Sequence, residues 1–170
     1  HWHGLKVPAN MDGHPENYVG AGSSFNYNFT VNQRAGMYWY HPHPHMQTGK
    51  QVFKGLAGLF IVNDAEETAL NLPSGNREIP LVIQDKRISA GSIPYAPTMM
   101  EQMTGYMGQY ILVNGIYAPY HNVETAKYRV RVLNGSNARI YNLALSNNAS
   151  FTLIGNDGGL LTSSQTVNTL

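Results

Sequence analysis

Phe25, Tyr27, Phe29 and Val31 alternate with Ser24, Asn26, Asn28 and Thr30. A period of two puts the apolar side chains on one face, so this stretch reads as a half-buried β-strand. Before it, residues 1–4 read as a strand end and residues 5–22 as a polar loop rich in Gly, Pro and Asn. Gln33–Gly36 turn the chain, and Met37–His41 return as a strand. Residues 42–54 read as a loop or short helix. Gly55–Val62 are almost wholly apolar, which predicts a strand buried on both faces. Asn63–Arg77 hold Asp64, Glu66, Glu67, Pro73, Ser74 and Gly75, and read as a linker.

Beyond the linker, Ile79–Gln84 predicts a strand, residues 87–109 a long loop, and Tyr110–Asn114 a short strand ending at Asn-Gly. Lys127–Leu133 alternates basic and apolar residues, the pattern of an antiparallel strand with one wet face. Asn134–Ala138 turn, Ile140–Leu145 return, and Phe151–Ile154 form another strand. Strands without convincing helices predict an all-β antiparallel sandwich. It divides into two units, 1–64 and 78–170, with 65–77 between them.

Two short runs carry the chemistry. One is His1-Trp2-His3-Gly4 and the other is Trp39-Tyr40-His41-Pro42-His43-Pro44-His45. Each contains His-x-His, and in a strand residues i and i+2 share a face. His1 and His3 therefore aim one way and Trp2 the other. His41 and His43 pair likewise, and Pro42 between them puts His43 where the strand leaves its sheet. If the two strands are neighbours, four imidazoles converge on one small volume. Neutral imidazole suits copper, zinc, iron or nickel. A single His-x-His among 7 histidines carries little weight; two, each beside an aromatic, carry much more.

Composition narrows the classes. An apolar share of 42% allows a real core, while 12% charged residues and a net charge of +1 give no field for nucleic acid or an anionic membrane. No stretch has the length of a transmembrane helix. There are 0 cysteines, so no disulfide forms and the redox compartment stays open. A blue copper site, which needs a Cys thiolate with two His, cannot be assembled from these residues. Met99, Met100, Met103 and Met107 cluster between Tyr95 and Gln109. They read as adaptable packing under a loop, with soft-metal ligation as the alternative. His14 and His121 read as surface residues, and Asp85 and Arg131 as supports for loops or a domain contact. The chain starts inside a metal motif and ends without a closing feature, so we expect an internal segment of a larger protein.

His1-Trp2-His3-Gly4-Leu5, followed by Val7-Pro8 and Asp12-Gly13, resembles the first copper motif of the multicopper oxidases. Trp39–His45, then Thr48–Gln51 and Gly55–Leu59, resembles the second. The resemblance continues through Leu81–Lys86, Val130–Arg139 and Asp157–Leu161, and is greatest to bacterial three-domain laccases, cuprous oxidases and bilirubin oxidases. It implies cupredoxin-like Greek-key barrels, both incomplete: the second half of domain 1, then the first part of domain 2. It implies that His1 is a type 2 copper ligand and that His3, His41 and His43 are ligands of the paired type 3 coppers. These are four of the eight histidines of a trinuclear cluster. The other four, and the type 1 blue copper, belong to domains outside this chain. Asp12 matches the family's acidic residue beside the cluster, a proton relay through water. His45 is not a family ligand and is expected to support the site or face solvent.

The parent is expected to oxidise phenols, aromatic amines or cuprous ion, to reduce dioxygen to water, and to be exported. This segment alone is expected to be inactive. Two other classes compete. One is a copper-free scaffold of the same fold. The other is a two-domain copper oxidase or nitrite reductase.

Overall fold

The computed structural model describes residues 1–170. β1 (Trp2–His3), β2 (Gly36–Tyr40) and β3 (Gly58–Val62) make an antiparallel sheet in that order. α1 (Thr48–Phe53) follows the second histidine run, and α2 (Ala65–Ala69) follows β3. β4 (Glu78–Lys86), β5 (Tyr110–Val113), β6 (Ile116–Tyr117) and β7 (Arg129–Asn134) make a second sheet in the order β6-β5-β4-β7. α3 (Met99–Thr104) sits in the β4–β5 connection, and β8 (Phe151–Asn156) and β9 (Gly159–Val167) form a hairpin. None of the sheets closes on itself. No helix is long and apolar enough to cross a membrane.

Several expectations change. Residues 24–31 form no strand. Their alternation still chooses a face, because Tyr27 and Phe29 pack edge-on against Trp2 at 5.3 and 5.4 Å. No strand of the chain lies alongside to complete a ladder, and Phe25, Tyr27 and Val31 stay exposed. β3 is half-buried, with Ile61 exposed, because its outer edge has no neighbouring strand. Ile140–Leu145 is not a strand; only Leu143 pairs, exchanging two main-chain hydrogen bonds with Leu170. β9 is long and largely polar, so its sequence carries no apolar period to announce it.

The expected linker is ordered, and the reason is charge. Asp64 caps α2 by accepting from the Glu67 N–H at 2.7 Å, and its other oxygen takes Arg34 Nε at 2.9 Å. Glu67 is buried against Arg129 and Arg131, which also bind Glu78. Burial pushes the Glu78 carboxyl up, but the hydrogen bonds and charge of Arg131 and Arg129 outweigh it and hold it below its ordinary value. This ion cluster inverts the reading of β7. Arg129 and Arg131 point inward and Val130 outward, and β7 runs parallel to β4 rather than antiparallel. Buried guanidinium groups are tolerated when paired, and here two carboxylates pair them.

The β4–β5 connection and the loop after β7 also grip the segment after the histidines. Phe53 of α1 is fully buried, with its ring 4.7 Å from Tyr106 and 5.5 Å from Tyr95. Asn137 donates to the Gly49 carbonyl at 2.7 Å. Asp85, fully buried, accepts from the Gly108 N–H at 2.6 Å and from Arg139 Nε at 3.1 Å, so it holds loops as expected. Gly108 has no room for a side chain: a Cβ there would lie 2.2 Å from the Lys86 carbonyl carbon.

Candidate metal centre

β1 and β2 are neighbours with Trp2 opposite Tyr40 and His3 opposite Trp39. That register places His1 beside His41, and their main chains exchange hydrogen bonds at 2.8 and 3.1 Å. One face of the pair then carries His1, His3, Trp39 and His41. The other carries Trp2 and Tyr40, with Phe60 of β3 5.8 Å from the Trp2 ring. This aromatic packing on Trp2 fixes the strand that holds the first two histidines.

The imidazoles converge. The His1 ring lies 5.8 Å from His3, 5.3 Å from His41 and 5.7 Å from His43. One ligand atom from each of His1, His3 and His41 lies within 4.8 Å of the others. His43 stands one step out: its ring is 5.7 Å from His41, and it is exposed. Pro42 ends β2 before it, so His43 leaves the sheet as its sequence foretold.

Hydrogen bonds choose the donor atoms. His1 Nδ1 lies 2.9 Å from Asp12 Oδ1. A carboxylate accepts, so Nδ1 carries the proton and Nε2 keeps its lone pair. His41 Nδ1 lies 3.0 Å from the Pro42 carbonyl oxygen, with the same consequence. Burial lowers the His41 pKa and outweighs the Pro42 hydrogen bond, which raises it; His3 and His43 lower it further. Burial and the neighbouring histidines both favour the neutral ring, the form that ligates a metal. Converging imidazoles, with Nε2 left free on His1 and His41 and the rings held on a strand pair, are a donor set that fits copper.

Asp12 touches the site directly, through the His1 ring. Its Oδ1 also accepts from the Trp2 N–H at 3.3 Å, and Trp2 Nε1 donates to the Met11 carbonyl at 3.0 Å. Gly13 makes this turn possible, with φ of 71° and no space for a Cβ, which would sit 2.9 Å from the His1 nitrogen. An open cleft lined by Met11, Gly13, His14 and Tyr27 lies next to this turn, and Asp12 does not line it.

Other candidates fall outside the cluster. His45 is exposed, its N–H bound to the Pro15 carbonyl at 3.0 Å. His14 and His121 are exposed. Met99 and Met103 are each 81% exposed, so they do not pack under a loop. Two participants were not foreseen. The Pro42 carbonyl has no sequence signature. Trp39 did have one, because Trp-x-His puts it on the ligand face.

A strand-rich fold that gathers imidazoles at the edge of a sheet suits a copper protein. Residues 1–67 match the family model described as multicopper oxidase. "Multicopper oxidase mco" of Staphylococcus haemolyticus is 44% identical over 163 residues, covering 95% of this chain and 36% of the relative. "Cell division protein FtsP" of Xenorhabdus nematophila is 36% identical over 160 residues, covering 93% of this chain and 33% of the relative. Among solved structures, a laccase-like multicopper oxidase CueO from Ochrobactrum sp., described as having oxidase activity towards lignin model compounds and lignosulfonate, superimposes with a TM-score of 0.94. It is 38% identical and covers 100% of this chain and 39% of its own. The chain belongs to the multicopper oxidase family and spans about a third (36%) of the length of such relatives.

Proposed function

We propose that this chain supplies half of the histidine set of a trinuclear copper cluster in a multicopper oxidase. The observation that carries it is the convergence of His1, His3 and His41, with His43 adjacent, on one face of the β1–β2 pair. His1 is the type 2 ligand, and His3, His41 and His43 serve the paired type 3 ions. Residues 1–64 are the second half of a first cupredoxin domain, and 78–170 the first part of a second. The remaining ligands and a type 1 site come from the rest of the parent protein.

Bound copper supplies the one-electron redox steps that link oxidation of a phenol, aromatic amine or cuprous ion to reduction of dioxygen to water. The residues of this chain position and protonate. Asp12 holds the His1 ring through Nδ1, which leaves Nε2 as the atom that would hold the metal. Four-electron reduction of dioxygen consumes protons, and Asp12, whose side chain is partly exposed, takes them from water and passes them inward. The parent acts outside the cytoplasm, where neither nucleic acid nor membrane insertion is required.

The FtsP relative keeps the scaffold class in view. All four motif histidines are present here, and they converge. The deciding experiment measures copper per intact protein together with oxygen uptake on a phenolic substrate. Copper with oxygen uptake supports the oxidase; a folded protein that takes up no copper supports the scaffold.

A further inference from the structure

Trp39 makes the closest aromatic contacts of the site. Its ring centroid lies 4.6 Å from His3 and 4.4 Å from His41, each at an interplanar angle of 30°. The two histidines come from different strands and stand 5.9 Å apart, tilted by 46°. Register explains this: Trp39 is opposite His3 on β1 and two residues before His41 on its own strand. One flat indole therefore backs both rings.

The two rings are held differently. His41 is also fixed by its hydrogen bond to the Pro42 carbonyl. The His3 imidazole makes no hydrogen bond to the chain, and the final torsion of an imidazole is broad and roughly two-fold. A ring with so soft a torsion takes its plane from whatever wall it lies against. For His3 that wall is Trp39. Hydrogen bonding orients ligating histidines in most metal sites; here stacking does that work for His3 and reinforces it for His41.

We propose that Trp39 is a positioning residue that sets the ring planes of His3 and His41, and so holds the two type 3 ions at a fixed separation. The proposal rests on the copper reading above. It is tested in the copper-loaded intact protein with Trp39→Leu and Trp39→Phe, by the rate of copper loss to excess chelator and by the fraction of copper visible to electron paramagnetic resonance. A correctly spaced pair of type 3 ions is silent in that spectrum, and a loosened pair is not. Trp39→Leu should lose copper about tenfold faster, the lower end for a support of a metal ligand, and show additional visible copper. Trp39→Phe, which keeps a flat face, should stay within about twofold of wild type on the same scale. Should the leucine variant fail to fold, Trp39→Met, unbranched and without a flat face, takes its place with the same expected outcome. Wild-type rates and spectra in the variant without a ring would overturn the proposal. A wild-type protein that binds no copper would instead overturn the copper reading.

Discussion

Replacing Asp12 with Asn removes one charge and keeps the shape. The carboxylate accepts from His1 Nδ1 at 2.9 Å and from the Trp2 N–H at 3.3 Å. An amide oxygen can accept from either donor, so both strands should keep their places. A charge-assisted hydrogen bond contributes about 1.5–3 kcal/mol and a neutral one about 0.5–1.5 kcal/mol. The side chains are 30% and 35% exposed, so solvent screening brings the difference to its lower end. About 1 kcal/mol remains, or roughly a fivefold loss of affinity at the ion His1 holds. That leaves the site filled when copper is in excess. Proton delivery fares worse, because an amide neither takes up nor releases a proton near pH 7. Loss of a positioned general acid costs about 100-fold or more. The assay is oxygen uptake on a phenolic substrate by the intact Asp12→Asn protein, with copper quantified in the same sample. Full copper with turnover reduced about 100-fold is expected. Full copper with unchanged turnover would refute the role given to Asp12.

Other consequences follow from the buried charges. Glu67→Gln leaves Arg129 and Arg131 sharing Glu78 alone in a buried cluster. It should cost about 3 kcal/mol in denaturant unfolding of the intact protein, and a change under about 0.5 kcal/mol would contradict the cluster's role. Lys86 is buried over the Phe53 ring, and burial lowers its pKa from 10.5 to about 8, against the raising effect of Asp85. A base with a lowered folded-state pKa destabilises the fold while it is charged there. The penalty is fully present below pH about 8 and fades as pH rises towards 10.5. Lys86→Met should therefore raise the melting temperature at pH 7, and the gain should shrink by pH 10. A gain independent of pH would contradict this. Glu101 caps α3 through the Thr98 main chain, Arg87 and the Thr98 hydroxyl, which lower its pKa from 4.5 to about 2. Its contribution is present above pH 4.5 and is lost as pH falls towards 2, so the protection of α3 amides, taken relative to the intrinsic exchange rate at each pH, should fall in acid, and a Glu101→Gln variant should lose that dependence.

The histidine cluster was legible because its geometry is local. Strand period and a proline at the strand end decide where His1, His3, His41 and His43 go, and the structure adds only the register. Asp12 was legible as a residue of the site, but its direct contact with His1 was not, since that needs the fold of residues 5–13. Strand positions were legible where apolar runs coincide with pairing, as in β2, β3 and β4. They failed where periodicity and pairing separate. Residues 24–31 have the period but no partner strand, and β9 has a partner but no period. β7 misled for a different reason. Alternating basic and apolar residues point the bases outward only if no buried acid waits for them, and Glu67 and Glu78 come from segments that sequence proximity does not connect with it. Two carboxylates distant in the chain thus reversed both the facing of β7 and the character of the expected linker.

Copper location in the intact protein tests the central claim most directly. Anomalous diffraction at the copper edge should give peaks at bonding distance from the imidazoles of His1, His3, His41 and His43, with His1 on a different ion from the other three. Peaks elsewhere, or copper bound with the first histidine pair turned away from the second, would contradict it.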